Sequence, residues 1–294
     1  MIEQALYEHL KEDEALAAFL TTYADEPAIF NQEAPADIDP LWKDGPQYGR
    51  IVYAVDLQGD PERTMGGMLA VDIQCKENLQ FPEEIEPVVR ELIHGWFFSN
   101  GTFTVEAQWK DSSYFTEPTD NVTGCTVTFD LLGFPIMSTG TPDLVQRFNE
   151  WSATIDGVHV INYDELPATA WKPDSTDSAI YWRVVVDNPA GWIPDTFQTT
   201  WRSATMKCHI FSADHTIADT LARNIIQMIY ARKRLLKEGE TPIMVNRNNS
   251  LEFGADPLRT GQVTIEATYA LVVYEAPDPS LEHFNLEIER KENT

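Results

Sequence analysis

The sequence predicts an α+β protein of two tandem similar domains, each an antiparallel or mixed β-sheet packed against helices. Three observations predict it. Residues 2–140 and 143–276 run through one order of pattern elements, the strand candidates alternate apolar with polar residues, and the helix candidates carry one apolar face. The expected units are residues 1–140, residues 141–276 and an extended C-terminal tail, 277–294.

Each unit opens on an amphipathic segment, Gln4–Leu10 in the first and Leu144–Trp151 in the second. A proline-bearing stretch follows, residues 28–35 and 159–167, and then a β-branched strand ending in Asp, Val52–Asp56 and Arg183–Asp187. After a turn-rich loop come strands whose apolar residues recur with period two. These are Leu69, Val71, Ile73 and Cys75 in the first unit, and Ala204, Met206, Cys208 and Ile210 in the second. A helix is next, with Ile85, Val89, Leu92 and Ile93 on one face and Leu221, Ile225, Met228 and Ile229 as counterparts. Pro82 and Pro87 put the start of the first helix within residues 83–87, because proline fits the first turn. Short strands at Phe103–Val105 and Ile243–Val245 lead to a closing strand, where Val127–Asp130 matches Val263–Glu266.

A chain of 294 residues is long enough for two units of roughly 130 residues, each with its own core. No charged and apolar leader follows Met1, and no apolar run approaches the length that spans a bilayer, so a soluble cytoplasmic product without membrane contact is expected. Cys75, Cys125 and Cys208 are an odd set inside strands and read as reduced core thiols. The net charge of −26 argues against stable binding to phosphate backbones, which needs clustered Lys and Arg. As a reading of charge alone it suits first a protein that charge keeps soluble, and also one that DNA passes without sticking. Arg232, Lys233, Arg234 and Lys237 form a basic end to the second helix, where cations complement the helix dipole.

Motifs for chemistry are few. Met65–Met68 lacks the spacing and the Lys of a phosphate-binding loop. His209 and His215 have only Asp214 beside them, short of a zinc site. Cys208 and His209 are adjacent on a strand and point to opposite faces, so they do not form a nucleophile and base. Acidic pairs such as Glu83–Glu84 are expected on the solvated faces of a chain with 47 Asp and Glu. The expectation is a non-enzymatic protein with no cofactor and no metal.

Aromatic residues crowd the second unit at Tyr163, Trp171, Trp182, Trp192 and Trp201, and aromatics in loops favour protein interfaces. The loops Leu57–Gly67 and Asn188–Thr200 are long for hairpins and are the expected contact sites. The interface candidates in and beside them are Asp60, Arg63, Met65, Met68, Trp192, Ile193 and Phe197. The tail from Glu275, with Pro277 and Pro279, reads as a flexible end or as an arm that docks on an adjacent subunit.

Five of these segments together resemble the tail terminator, or tail completion, proteins of tailed bacteriophages. They are the N-terminal helix (residues 3–20), Ile29–Pro35, the Tyr-Gly-Arg-Ile-Val-Tyr strand (48–53), the Leu-Ala-Val-Asp-Ile-Gln-Cys strand (69–75) and the helix at 83–98. The second half resembles the same family more loosely. The resemblance implies a structural virion protein at the tail/neck junction, assembled in the host cytoplasm. Family members carry one such domain and form a hexameric ring that caps the tail tube, stops its polymerisation and meets the neck or head connector. The implied partners are self, the tail tube protein and the connector, with DNA only in passage through the bore. Two copies of the domain open two stoichiometries, six chains or a pseudo-sixfold ring of three, and differences between the copies favour six. The alternatives are another neck or tail component (a head-closure or tube protein) and a cytoplasmic ligand-binding module or enzyme with its site between the repeats.

Overall fold

The computed structural model describes residues 2–43, 45–58, 66–77, 80–99, 103–118, 121–193, 195, 199–235, 242–246, 248–255 and 260–272. The first half contains α1 (Ile2–Lys11), α2 (Glu14–Ala17), β1 (Thr22–Tyr23), β2 (Glu26–Pro27), β3 (Ile29–Asn31), β4 (Arg50–Gln58), β5 (Gly66–Lys76), α3 (Pro82–Ile93), β6 (Trp96–Ser99), β7 (Thr104–Glu117) and β8 (Val122–Gly133). The second contains α4 (Leu144–Ser152), β9 (Val158–Val160), β10 (Ala170–Trp171), β11 (Ser178–Pro189), β12 (Thr199–Phe211), α5 (His215–Arg232), β13 (Arg234–Leu235), β14 (Ile243–Val245), β15 (Ser250–Leu251) and β16 (Val263–Val272).

The two main sheets follow one topology. In the first the order is β3-β4-β5-β8-β7-β6, and in the second β9-β11-β12-β16-β14-β13. In both, the outermost pair is parallel (β3 with β4, β9 with β11) and the other pairings are antiparallel. The α+β reading of two similar mixed sheets packed on helices therefore holds.

One face of each sheet packs on its own helices. Leu69, Val71, Ile73 and Cys75 meet Ile85, Val89 and Ile93 of α3 and Leu6 and Leu10 of α1. Met206, Cys208 and Ile210 meet Ile225 and Ile229 of α5 and Phe148 of α4. Trp182 fills the centre of the second core, its ring 4.7 Å from Phe148 and its indole N–H donating to Ser152 Oγ at 2.9 Å. Asp143 caps α4 at Gln146 N, and Asp214 caps α5 at Thr216 N and Ile217 N. Lys233 closes α5 in the left-handed region (φ 57°), its N–H on Ile229 O, so the basic end of that helix is at its C-terminus. Lys237 lies outside the described residues.

Several sequence expectations are corrected. The first long helix begins at Pro82, and Pro87 sits inside it. Pro87 and Glu83, whose carbonyl loses its intrahelical donor there, are both solvent-exposed, so water can serve that carbonyl. The short strand expected at Phe103–Val105 is the start of the 14-residue β7. The two strand matches also disagree by one pleat. Val71 pairs with Val127 and Met206 with Ile265, so if Val71 and Met206 correspond, the counterpart of Val127 is Ile265 and not Val263. A slip of two residues keeps every side chain on its face, which is why the pattern match did not register it.

The halves are joined through strand pairing and an aromatic cluster. β10, from the second half, adds antiparallel to β6 of the first, with Ala170 opposite Phe98 and Trp171 opposite Phe97. Phe98 enters the first core, while Phe97, on the other face of β6, packs with Phe134, Ile161, Ala179, Tyr181 and Phe211. Phe97 lies 5.8 Å from Phe134 and 5.2 Å from Phe211 between ring centroids. Tyr181 Oη donates to Pro135 O at 2.8 Å, and Asn162 Nδ2 donates to Phe134 O at 2.7 Å, which ties the connecting segment to the second sheet.

Candidate assembly surfaces

The sites considered for chemistry are occupied with structural work. Cys75, Cys125 and Cys208 are buried free thiols. Burial pushes the Cys75 and Cys125 thiols up to about 11 and raises that of Cys208, away from the thiolate a nucleophile requires. Cys208 lies in the second core, and His209 faces the opposite side of the sheet, its ring 5.8 Å from Tyr181. Asp214 is held below the usual carboxylate range by the backbone N–H of Ile217 and Thr216, as a helix cap is. Among the described residues no group of three or more His, Cys, Asp or Glu is placed to hold a metal ion.

A cleft of about 390 Å³ lies between the halves, lined by His94, Glu106, Gln108, Lys172, His215 and Gln262 among others. Several of its polar groups are engaged with the protein itself. Gln262 donates to Ile210 O and accepts from Ile210 N, both at 2.8 Å; Lys172 Nζ donates to His94 O at 2.9 Å. His94 Nδ1 accepts from Trp109 N at 3.1 Å, and Gln108 donates to Glu106. Burial, followed by the charges of Lys172 and Arg90, lowers the His94 pKa, consistent with a neutral ring accepting that bond.

Of the interface candidates, Asp60, Arg63, Met65 and Phe197 lie outside the described residues. Met68 is 43 % exposed near the β4–β5 tip, with Leu57 beside it on that hairpin. Trp192 is 68 % exposed at the β11–β12 tip, and Ile193, half-buried, closes a turn through Ile193 N to Ala190 O at 3.0 Å. Val185 and Val186 are exposed on the same hairpin. Met68 and Leu57 point to opposite faces of their hairpin, and Met68 and Trp192 sit on hairpins of different sheets.

Three surfaces escaped the sequence reading. The first is the mating face of the halves. Its signal was available in Phe97-Phe98, Tyr181-Trp182 and Ile210-Phe211, where consecutive large apolar residues break the alternation and mark strands covered on both faces. The second is Ile38, 94 % exposed beside the 3₁₀ turn Pro40–Trp42. The third is the long edge of β7. β6 pairs with it only over Thr104–Ala107, and no described strand pairs with Gln108–Glu117 on that side.

The mating face is not duplicated. With Val71 matched to Met206 and Tyr53 to Val184, the counterparts of Ala179, Tyr181 and Phe211 in the first half are Tyr48, Arg50 and Lys76. There Arg50 and Lys76 lie over the Tyr48 ring at 4.5 and 5.2 Å, and Arg50 pairs with Asp37 at 2.9 Å. An apolar junction in one repeat is a cationic, partly open surface in the other.

No described protein family matches the chain, and no curated protein does. One similar solved chain comes from a structure titled "Virion of native gene transfer agent (GTA) particle". It shares 16% identity with a TM-score of 0.33, over 44% of this chain and 91% of that one. No helix among the described residues is long and apolar enough to cross a membrane.

Proposed function

We propose that this protein is a structural component of a tailed-phage virion, a tail terminator whose ring caps the tail tube and presents a second surface to the neck or head connector. The observation that carries this reading is the duplicated sheet topology, with Met68 and Trp192 exposed on the two corresponding hairpins and several polar groups of the central cleft bonded within the protein. Such a molecule offers surfaces for assembly, and the resemblance of residues 3–98 supplies the kind of assembly. The reading keeps the two repeats as residues 1–140 and 141–276, with β10 of the second half joining the sheet of the first. The tail 277–294 lies outside the described residues.

Six chains are favoured over three. A pseudo-sixfold ring of three chains would repeat the junction within each chain between chains, and the first repeat carries Tyr48, Arg50 and Lys76 where that junction needs Ala179, Tyr181 and Phe211. The net charge of −26 suits a bore through which DNA slides. The test is to add purified protein to polymerising tail-tube protein and view the products by electron microscopy. Short tubes with one ring at one end are expected. Decoration along the tube would make it a tube component, and unaltered tube length would remove the terminator reading.

A further inference from the structure

The free edge of β7 and the end of the chain fit one another. Along Gln108–Glu117 no described strand pairs with one side of β7, where Trp109 N donates to His94 Nδ1, and the strand carries Trp109 (39 % exposed) and Tyr114 (50 %) on its helix-facing side, next to exposed Phe81 and to Arg90, whose guanidinium lies 5.0 Å from the Trp109 ring. Lys110 lies on the same edge, and its pair with Asp130 leaves its side chain 52% exposed. Long exposed edges of this kind accept an added strand, and natural sheets otherwise cover or blunt them. Among the described residues the second half shows no such edge. Its equivalent is broken into β14 and β15, and β13 flanks β14.

The sequence holds a further segment with the pattern of a strand. Phe284, Leu286 and Ile288 alternate with Asn285, Glu287 and Glu289, a strict period of two beyond Pro277 and Pro279. Laid along β7, its apolar face meets Trp109 and Tyr114, and its acidic face can meet Lys110.

Reach decides whose edge it covers. β16 ends at Val272 opposite Thr199, at the far end of β12 from Phe211, where the halves join. Returning along β12 from Thr199 to Phe211 takes about 40 Å. The stretch 273–283 spans at most about 40 Å fully extended, so in the same chain it would be used up before reaching the β7 edge, which runs on past β6. We propose that residues 284–289 of one chain add as a strand to the β7 edge of a second copy. Each chain then gives its segment to one copy and receives one from another, until a closed set of chains fills every edge. This inference needs self-association and does not depend on which tube or connector the ring meets.

The experiment pairs Leu286→Cys in turn with Trp109→Cys, Ser112→Cys and Tyr114→Cys, which samples the register, against a background where the native cysteines are buried. Under mild oxidation one pair should give a ladder of covalently joined chains on a non-reducing gel. Truncation after Pro279 should lower the native mass to a single chain while leaving the circular dichroism spectrum of the folded halves. A crosslink only within one chain, a full-length chain that is monomeric at every concentration, or an unchanged oligomer mass after truncation would overturn the proposal. None of these readouts involves tail tubes, so failure of the capping assay and failure of strand exchange are separate results.

Discussion

The two halves share a topology and differ in what they do with it. In the first, β4 pairs with β5 without interruption, placing Val55 opposite Leu69. In the second, a bulge at Val185 shifts the strand by one residue, and Asp187 takes the corresponding place opposite Ala204. There it accepts from Arg202 Nε at 2.9 Å and from Tyr269 Oη at 2.8 Å, so a polar cluster stands where the first half has aliphatic packing. In the first half β7 runs unbroken apart from its bulge at Lys110, whereas residues 246–249 separate β14 from β15 in the second. The lesson is that a duplicated sheet keeps its strand order, which the core enforces, while edges and outer faces are free to specialise.

The sharpest way to break the comparison is at the junction. Phe211→Ala removes a buried ring from the cluster with Phe97 and Phe134, an expected loss of about 3–5 kcal/mol. Urea unfolding followed by near- and far-ultraviolet circular dichroism should then resolve two transitions instead of one. Lys76→Ala, at the matching position of the first half, should shift the midpoint by less than about 1 kcal/mol. Equal effects would deny that the mating face belongs to one repeat. Next in size, Asp187→Ala leaves the buried Tyr269 hydroxyl without its acceptor and should cost about 1–3 kcal/mol. Val55→Ala, at the matching place, should cost about 1 kcal/mol through lost burial alone. Reversal of that order in thermal melts would deny the bulge its role.

A smaller difference is one of pH. His9 packs on Trp96 at 4.0 Å between ring centroids, and its Nε2 lies 2.8 Å from Leu92 O. Burial lowers its pKa in the folded chain, against smaller upward contributions from that backbone contact and from Asp13 and Glu12. Between the lowered folded pKa and the ordinary value near 6.5, the unfolded chain binds more protons. The stabilisation is therefore complete above about pH 6.5 and declines as pH falls below it. Stability measured from pH 8 to pH 5 should fall less steeply in His9→Phe than in the parent; the same slope in both would exclude His9 as its source. The smallest effect expected is that of Lys43→Ala, which breaks an exposed pair with Asp25 and should change stability by under about 1 kcal/mol.

Legibility in the sequence followed locality. The helix faces of Ile85, Val89 and Ile93 and of Ile225 and Ile229 were readable because a 3.6-residue period reports one buried face directly. Met68, Trp192 and Ile193 were legible as apolar residues flanking long loops, and they sit on hairpins of different sheets. The Arg202–Asp187–Tyr269 cluster was out of reach, because residues far apart in sequence meet only through strand register and a bulge.

By itself the sequence determined the order of the main elements, their recurrence in both halves and the face that each long helix buries, since these follow from short-range periodicity and the cost of wetting apolar surface. Only the tertiary structure decided which strands are covered on both faces, where β10 adds, and which edge stays open. Those depend on which surface meets which, and a local pattern carries the demand for burial without naming the partner that meets it.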